Sequence, residues 1–188
     1  MPRVGLDSEA VVSAAARLAD AEGLGALTLT RLATELGVRP PSLYVHVAGL
    51  DDLHRRLAVR GARELAAELQ GAAAGRAATD GLRAVADAYR SYALSHPGSY
   101  EALQKPPDPG DAEAVAASTA VVGVVLAVLR GYDLKGDDAI HAARIIRSAL
   151  HGFVALSSTG GFAIPIDLDE TFARLITTLD HGLRAGLT

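Results

Sequence analysis

The sequence predicts an all-α protein of about nine helices: a three-helix amino-terminal unit of helix-turn-helix layout, then a larger helical region. Three observations carry this. Hydrophobic residues make up 49% of the chain and aromatics only 4%, so small and unbranched apolar residues fill most buried positions. Ala and Leu lose little freedom in a helix. No stretch alternates β-branched with polar residues, as a half-buried strand would. Apolar residues instead recur three and four apart, in stretches bracketed by capping side chains, Gly and Pro.

The first helix opens at Leu6-Asp7-Ser8-Glu9. Asp7 can cap it, Glu9 favours its positive end, and Leu6 is placed to staple onto Val11. Val11, Ala14, Ala15 and Leu18 form one stripe, and Gly23 or Gly25 ends it. Thr28 can cap the second helix, where Leu32 and Leu36 share a face and Ala33 allows a close crossing. Gly37 can turn left-handed and stop that helix, with Val38 plugging the turn. Pro40 suits the first position of a third short helix over 40–47, since its missing N–H would have been unpaired there. Leu43 and Val47 then continue the buried face, and Arg39, Ser42, Tyr44, Val45 and His46 point outward. A helical hairpin with merely solvated outer residues would share this spacing.

Leu50-Asp51-Asp52-Leu53 opens a long helix to about Gly71, and 72–75 reads as a joint. A helix over 79–95 carries Leu82, Val85, Ala86, Tyr89 and Tyr92 until His96-Pro97-Gly98 stops it. A short helix holds Tyr100 and Leu103, and 105–110 (KPPDPG) is the clearest loop. The run 114–129 is apolar on all sides and shorter than the roughly 20 residues a bilayer needs, so a buried central helix is expected. Asp137 or Asp138 should cap the next helix, to about Leu156. After a loop over 157–165, Asp167 or Asp169 begins the last helix, which ends near Gly186.

Charge and composition narrow the function. The net charge is −4, and residues 1–70 hold eight Lys/Arg against nine Asp/Glu, so this is no basic nucleic-acid coat. A local basic patch can still coexist with an acidic body. With no Cys, disulfides, thiolate metal sites and Cys nucleophiles are excluded. No catalytic residues, metal or cofactor are expected, because HExxH, paired-carboxylate and phosphate-cradling Gly motifs are absent. The amino terminus lacks a signal-peptide pattern, which places the protein in the cytoplasm, with the nucleoid.

Over residues 6–58 the order of elements and the pattern LT-x-x-x-LA-x-x-LGV-x-x-x-x-LY-x-HV resemble the TetR family of bacterial transcriptional regulators. The resemblance implies a DNA-binding domain over 1–50 and a helical effector-binding and dimerisation domain over 51–188. It implies that Tyr44, His46 and the first amides of the two short helices, including the one capped by Thr28, bind phosphates. Thr30, Pro40, Ser42 and Val45 would face base edges, Ser42 by hydrogen bonds and Val45 by methyl contact. Arg31 and Arg39 are reasonable phosphate partners. The family usually has Lys where Leu50 stands and a small polar cap where Arg39 stands, so Leu50 is expected to pack inward.

The segment 148–180 also resembles a regulatory domain of one branch of the family, though more loosely. Phe172, Leu175, Ile176, Leu179 and Leu183 form one stripe, and Ala142, Ile145, Ile146, Ala149 and Phe153 another. Periodicity alone allows these to face the core or a second copy; the resemblance implies a homodimer through the last two helices. Arg144, Arg147 and His151, with Tyr89, Tyr92 and Tyr100, are candidates to line an effector pocket, or else a solvated face and core tyrosines. The partners implied are double-stranded operator DNA, a small-molecule effector and a second copy, with no membrane. An all-α enzyme, or a small-molecule- or partner-binding bundle with a vestigial helix-turn-helix, are the alternatives.

Overall fold

The computed structural model describes residues 6–186. Among these it is all-helical, as the sequence predicts. Eight α-helices follow in order: α1 (Ser8–Glu22), α2 (Leu29–Glu35), α3 (Leu50–Ala73), α4 (Ala78–Ser95), α5 (Pro97–Ala102), α6 (Ala112–Leu129), α7 (Gly136–Ser158) and α8 (Leu168–Ala185). Short 3-10 helices occupy Leu24–Ala26, Pro40–Val45 and Arg130–Tyr132. α7 begins earlier than expected. Lys135 stands at its cap position without a side-chain bond, so Asp137 and Asp138 lie in the first turn, where they favour the positive helix end instead of capping it. Asp167 does cap α8, accepting from the amides of Asp169 and Glu170.

The chain gathers into two compact units. One takes the residues up to Glu64 together with Ser95–Ser118; the other takes Leu65–Leu94 and the residues from Thr119 onward. The first unit therefore contains the amino-terminal stretch set apart in the sequence and adds the start of α3, α5 and the start of α6.

In the first unit, Val11, Ala15 and Leu18 of α1, Leu32 and Ala33 of α2, Leu43, and Leu53 and Leu57 of α3 share one core. Leu6, Leu36, Val38 and Leu50 pack partly buried against it. Leu50 thus packs inward. α5 presses its first turn onto α1: a Cβ at Gly98 would stand 2.3 Å from the carbonyl carbon and oxygen of Ala19. The Asp20 carboxylate receives the Ser99 amide at 2.9 Å and lies 3.3 Å from His96 Nδ1, so an α1 side chain anchors the open end of α5.

In the second unit, Phe153 of α7 lies 5.0 Å from the ring of Phe172 on α8, and Arg90 of α4 sets its guanidinium over both rings. Arg90 also pairs with Asp169 at 2.7 Å. Farther along α8, Asp180 accepts hydrogen bonds from Thr79 Oγ1 at 2.6 Å, Tyr132 OH at 2.5 Å and Arg184 Nε at 3.0 Å. Burial opposes ionisation of Asp180, but these three donors outweigh it and hold the carboxyl below its ordinary range.

One expectation is corrected here. α6 is not a buried central helix. Its long apolar stretch, Ala112–Tyr132, would suffice by length and composition to cross a membrane, with a mean hydropathy of 2.1 over an 18-residue window, yet only 22% of that window is buried. Ala114, Ala117, Val128 and Leu129 are buried, while Val115 and Val122 stay exposed. Uniform Ala, Val and Gly composition conceals the single packed face. The α7 and α8 stripes divide between two kinds of position. Phe153, Phe172, Ile176 and Leu183 are buried within the one chain and are not free to meet a copy, whereas Ile145 is 45% exposed and Ala149, Leu175 and Leu179 are half-buried. A 3-4 periodicity marks the buried face of any helix, whichever neighbour covers it.

Candidate nucleic-acid interface

The two short helices and their turn form through local chemistry. Thr28 Oγ1 accepts from the Arg31 amide at 3.1 Å and opens α2. α2 closes with the Gly37 amide donating to Thr34 O and the Val38 amide to Ala33 O; Gly37 has φ 65°, a conformation without cost only for glycine. The chain then enters the third element at Pro40. That element is a 3-10 turn over Pro40–Val45, not the α-helix over 40–47 expected from the sequence.

Three residues per turn sort its side chains into columns. Pro40, Leu43 and His46 make the inward column: Leu43 is fully buried, and Pro40 and His46 are half-buried. Pro41 and Tyr44 make a second column, and Ser42 and Val45 a third; all four are exposed. Tyr44 is 60% exposed and Val45 82%, so neither belongs to the core. Val45 stands in water beside the exposed Tyr44 and Ser42, so the three form one outward ridge. Thr28, Thr30 and Arg39 are exposed as well.

Two features bear on the implied phosphate contacts. Arg31 is occupied: its guanidinium meets Glu22 at 2.5 Å and Glu35 at 3.4 Å, and the Glu22 hydrogen bond raises its pKa. Arg39 has no such partner. The recognition turn also lacks free leading amides. Pro40 and Pro41 carry no N–H, and the Ser42 amide donates to Arg39 O at 2.9 Å. The amide contacts implied for both short helices are therefore available at α2 and not at the opening of this turn.

The residues considered for an effector pocket are distributed over both units. Tyr100 lies in the first unit and Tyr89, Tyr92, Arg144, Arg147 and His151 in the second. The three tyrosines are buried, Arg144 and Arg147 are exposed, and His151 is half-buried. Two cavities lie elsewhere, both within the first unit. One of 490 Å³ sits beside Arg56, Arg60 and Arg63 of α3; the other, of 1240 Å³, runs between α3 and the 105–110 loop. None of the six residues lines either. The loop and its prolines were the available signal for the larger one.

A buried leucine base, a glycine turn and a protruding polar-apolar ridge define a helix-turn-helix DNA-binding module. Comparison with known proteins gives the family. Residues 82–179 match the family model described as a tetracyclin repressor-like C-terminal domain. The chain is 41% identical to Rv0681, an uncharacterized HTH-type transcriptional regulator of Mycobacterium tuberculosis, over 97% of this chain and 84% of that protein. It is 35% identical to YobS, an uncharacterized HTH-type transcriptional regulator of Bacillus subtilis, over 97% of this chain and 95% of that one. A variant of TetR from Acinetobacter baumannii, solved in complex with minocycline, shares the fold with a TM-score of 0.72 at 22% identity, over 96% of this chain and 97% of that. The protein belongs to the TetR family and is a DNA-binding transcriptional regulator of the helix-turn-helix type.

Proposed function

We propose that this regulator is a repressor that occupies a palindromic operator as a homodimer and leaves it when a small molecule binds. The exposed ridge over a fully buried Leu43 carries this reading. Residues 1–50 read DNA and 51–188 regulate and pair. Thr30, Pro40, Ser42 and Val45 face base edges, Ser42 offering a hydroxyl and Val45 a methyl surface to thymine. Tyr44, His46 and Arg39 hold phosphates, together with the α2 amides beside Thr28. Arg31 joins them only by exchanging Glu22 and Glu35 for phosphate. Two copies pair through α7 and α8, using Ile145, Ala149, Leu175 and Leu179, the positions not already buried. Their recognition turns then reach half-sites about 34–36 Å apart. The minocycline complex of a protein of this fold supports release by a small molecule. Effector and DNA are then linked reciprocally, each weakening the other by one factor.

A mobility shift with DNA flanking the coding region, at fixed salt, tests this. Tyr44→Phe should weaken operator and random duplex alike, while Ser42→Ala should change base preference. Wild-type behaviour of both variants on both duplexes would overturn the contact assignment.

A further inference from the structure

We propose that Glu22, with Glu35 beside it, sets the affinity of the DNA-binding module: it holds Arg31 away from the phosphate backbone and so weakens the attraction to every duplex. This deepens the DNA-contact assignment above and rests on it, naming the residues that restrain one of the phosphate partners.

The helix-turn-helix stretch 28–47 is poor in cations. It holds two Lys or Arg, Arg31 and Arg39, while phosphate neutralisation supplies nearly all sequence-independent affinity. Each cation therefore weighs heavily. Arg39 is exposed and carries no ion pair among the described residues. Arg31 is gripped side-on by Glu22, with Nη2 to Oε1 at 2.5 Å and Nε to Oε2 at 3.3 Å, and its Nη1 reaches Glu35 Oε2 at 3.4 Å. The Glu22 carboxylate thus fills the planar donor fork that two phosphate oxygens would take.

Helix stability does not account for a cation at this place. Arg31 lies in the first turn of α2, at the positive helix end, where a cation is disfavoured. Its neighbour Thr30 is exposed and was assigned above to base edges. A guanidinium there suits an anion from outside the fold. Glu22 cannot simply travel with Arg31 toward DNA. It is the last residue of α1, and that turn is fixed from the other side: Gly98 of α5 presses on Ala19, and the Asp20 carboxylate accepts from the Ser99 amide at 2.9 Å. A phosphate must therefore displace the carboxylate. Both side chains of the pair are more than a third exposed, which puts the restraint at about threefold in affinity per subunit.

The experiment is a double-mutant cycle on the full chain, read by mobility shift on a random duplex and on DNA flanking the coding region, across a salt series. Glu22→Gln should tighten both complexes by about threefold per subunit bound. It should also steepen the fall of log K with log salt by about 0.9 per subunit, as one phosphate contact is gained. Glu22→Ala, which removes the hydrogen bonds as well as the charge, should do at least as much. Arg31→Ala should cost little in the wild-type chain, yet abolish the whole gain in Glu22→Gln and restore the wild-type salt slope. An equal tightening by Glu22→Gln in the Arg31→Ala background overturns the proposal, because Glu22 would then act by plain repulsion of phosphates. A lowered melting temperature with unchanged DNA affinity also overturns it, making the pair a fastener between α1 and α2. If no variant shifts either duplex even at low salt, the DNA-contact assignment fails and takes the restraint with it. If the wild type shifts DNA and neither Glu22 variant shifts it better, only the restraint on Arg31 is refuted.

Discussion

The two compact units are fastened by different kinds of polar contact. In the first, α3 carries a row of arginines paired at the surface: Arg55 with Asp111 and Glu113, Arg56 with Asp52, Arg60 with Glu64, and Arg63 with Glu113. In the second, one carboxylate, Asp180, sits 7% exposed and gathers hydroxyls from Thr79 and Tyr132 and a guanidinium from Arg184. Exposed pairs compete with water and salt, and each contributes little. A buried acceptor strands its donors when removed, so its loss costs far more than its count of bonds suggests. Many visible ion pairs can therefore matter less than a single buried carboxylate.

The sharpest test of that contrast is Asp180→Ala. It leaves the Tyr132 and Thr79 hydroxyls without their acceptor, and the structure should lose about 2–3 kcal/mol, measured by urea unfolding. Tyr132, whose ionisation burial and then Asp180 push well above its ordinary range, should titrate closer to a free tyrosine in this variant, as ultraviolet absorbance at alkaline pH would show. A loss no larger than that of a surface pair such as Arg174–Glu170 would erase the distinction between the units.

The first unit has its own high-cost point, and it is steric. Gly98→Ala places a methyl 2.3 Å from the Ala19 carbonyl, a contact with rigid backbone that no rotamer change relieves. α5 must lift from α1, breaking the Ser99–Asp20 bond, and the expected cost is about 1–3 kcal/mol by the same unfolding measurement. An unchanged midpoint would show that α5 is seated more loosely than its 2.9 Å bond to Asp20 suggests.

What the sequence reveals divides along similar lines. Asp7, Thr28, Gly37 and Asp167 act on residues two to five positions away, and their roles as caps and turn are legible from spacing alone. The all-helical class and the ends of α4 and α8 follow from the same local rules. Long-range partners were not legible. Thr79 and Asp180 are 101 residues apart, Arg55 and Asp111 are 56 apart, and nothing in either neighbourhood announces the other. The candidate DNA-reading ridge was legible as a set of outward residues, because Leu43 and Val47 define the inward face. Its 3-10 geometry was not, nor was the engagement of Arg31 by Glu22, which depends on how α1 and α2 meet. The α7 and α8 stripes were legible as apolar faces only, since a hydrophobic period identifies a buried face without naming what buries it.

The smallest expected effect concerns the Arg55–Asp111 pair, and it separates charge from architecture. Asp111 also accepts from the Ala114 amide at 3.1 Å, so Asp111→Asn keeps the cap of α6 through its amide oxygen and removes the charge and the second acceptor facing Arg55. The Arg55 hydrogen bond, followed by the Ala114 amide, lowers the carboxyl from its ordinary 3.8 to about 2. A carboxyl depressed in the folded state stabilises that state above the unfolded pKa and loses the contribution as pH falls through the folded one. Wild type and Asp111→Asn should thus differ slightly in melting temperature at neutral pH. The gap should narrow between about pH 4 and about pH 2, and also in high salt, which screens a surface pair. A gap that persists at pH 2 would mean that Asp111 acts through packing and capping, and the arginine row of the first unit would then be shaping α6 rather than merely solvating it.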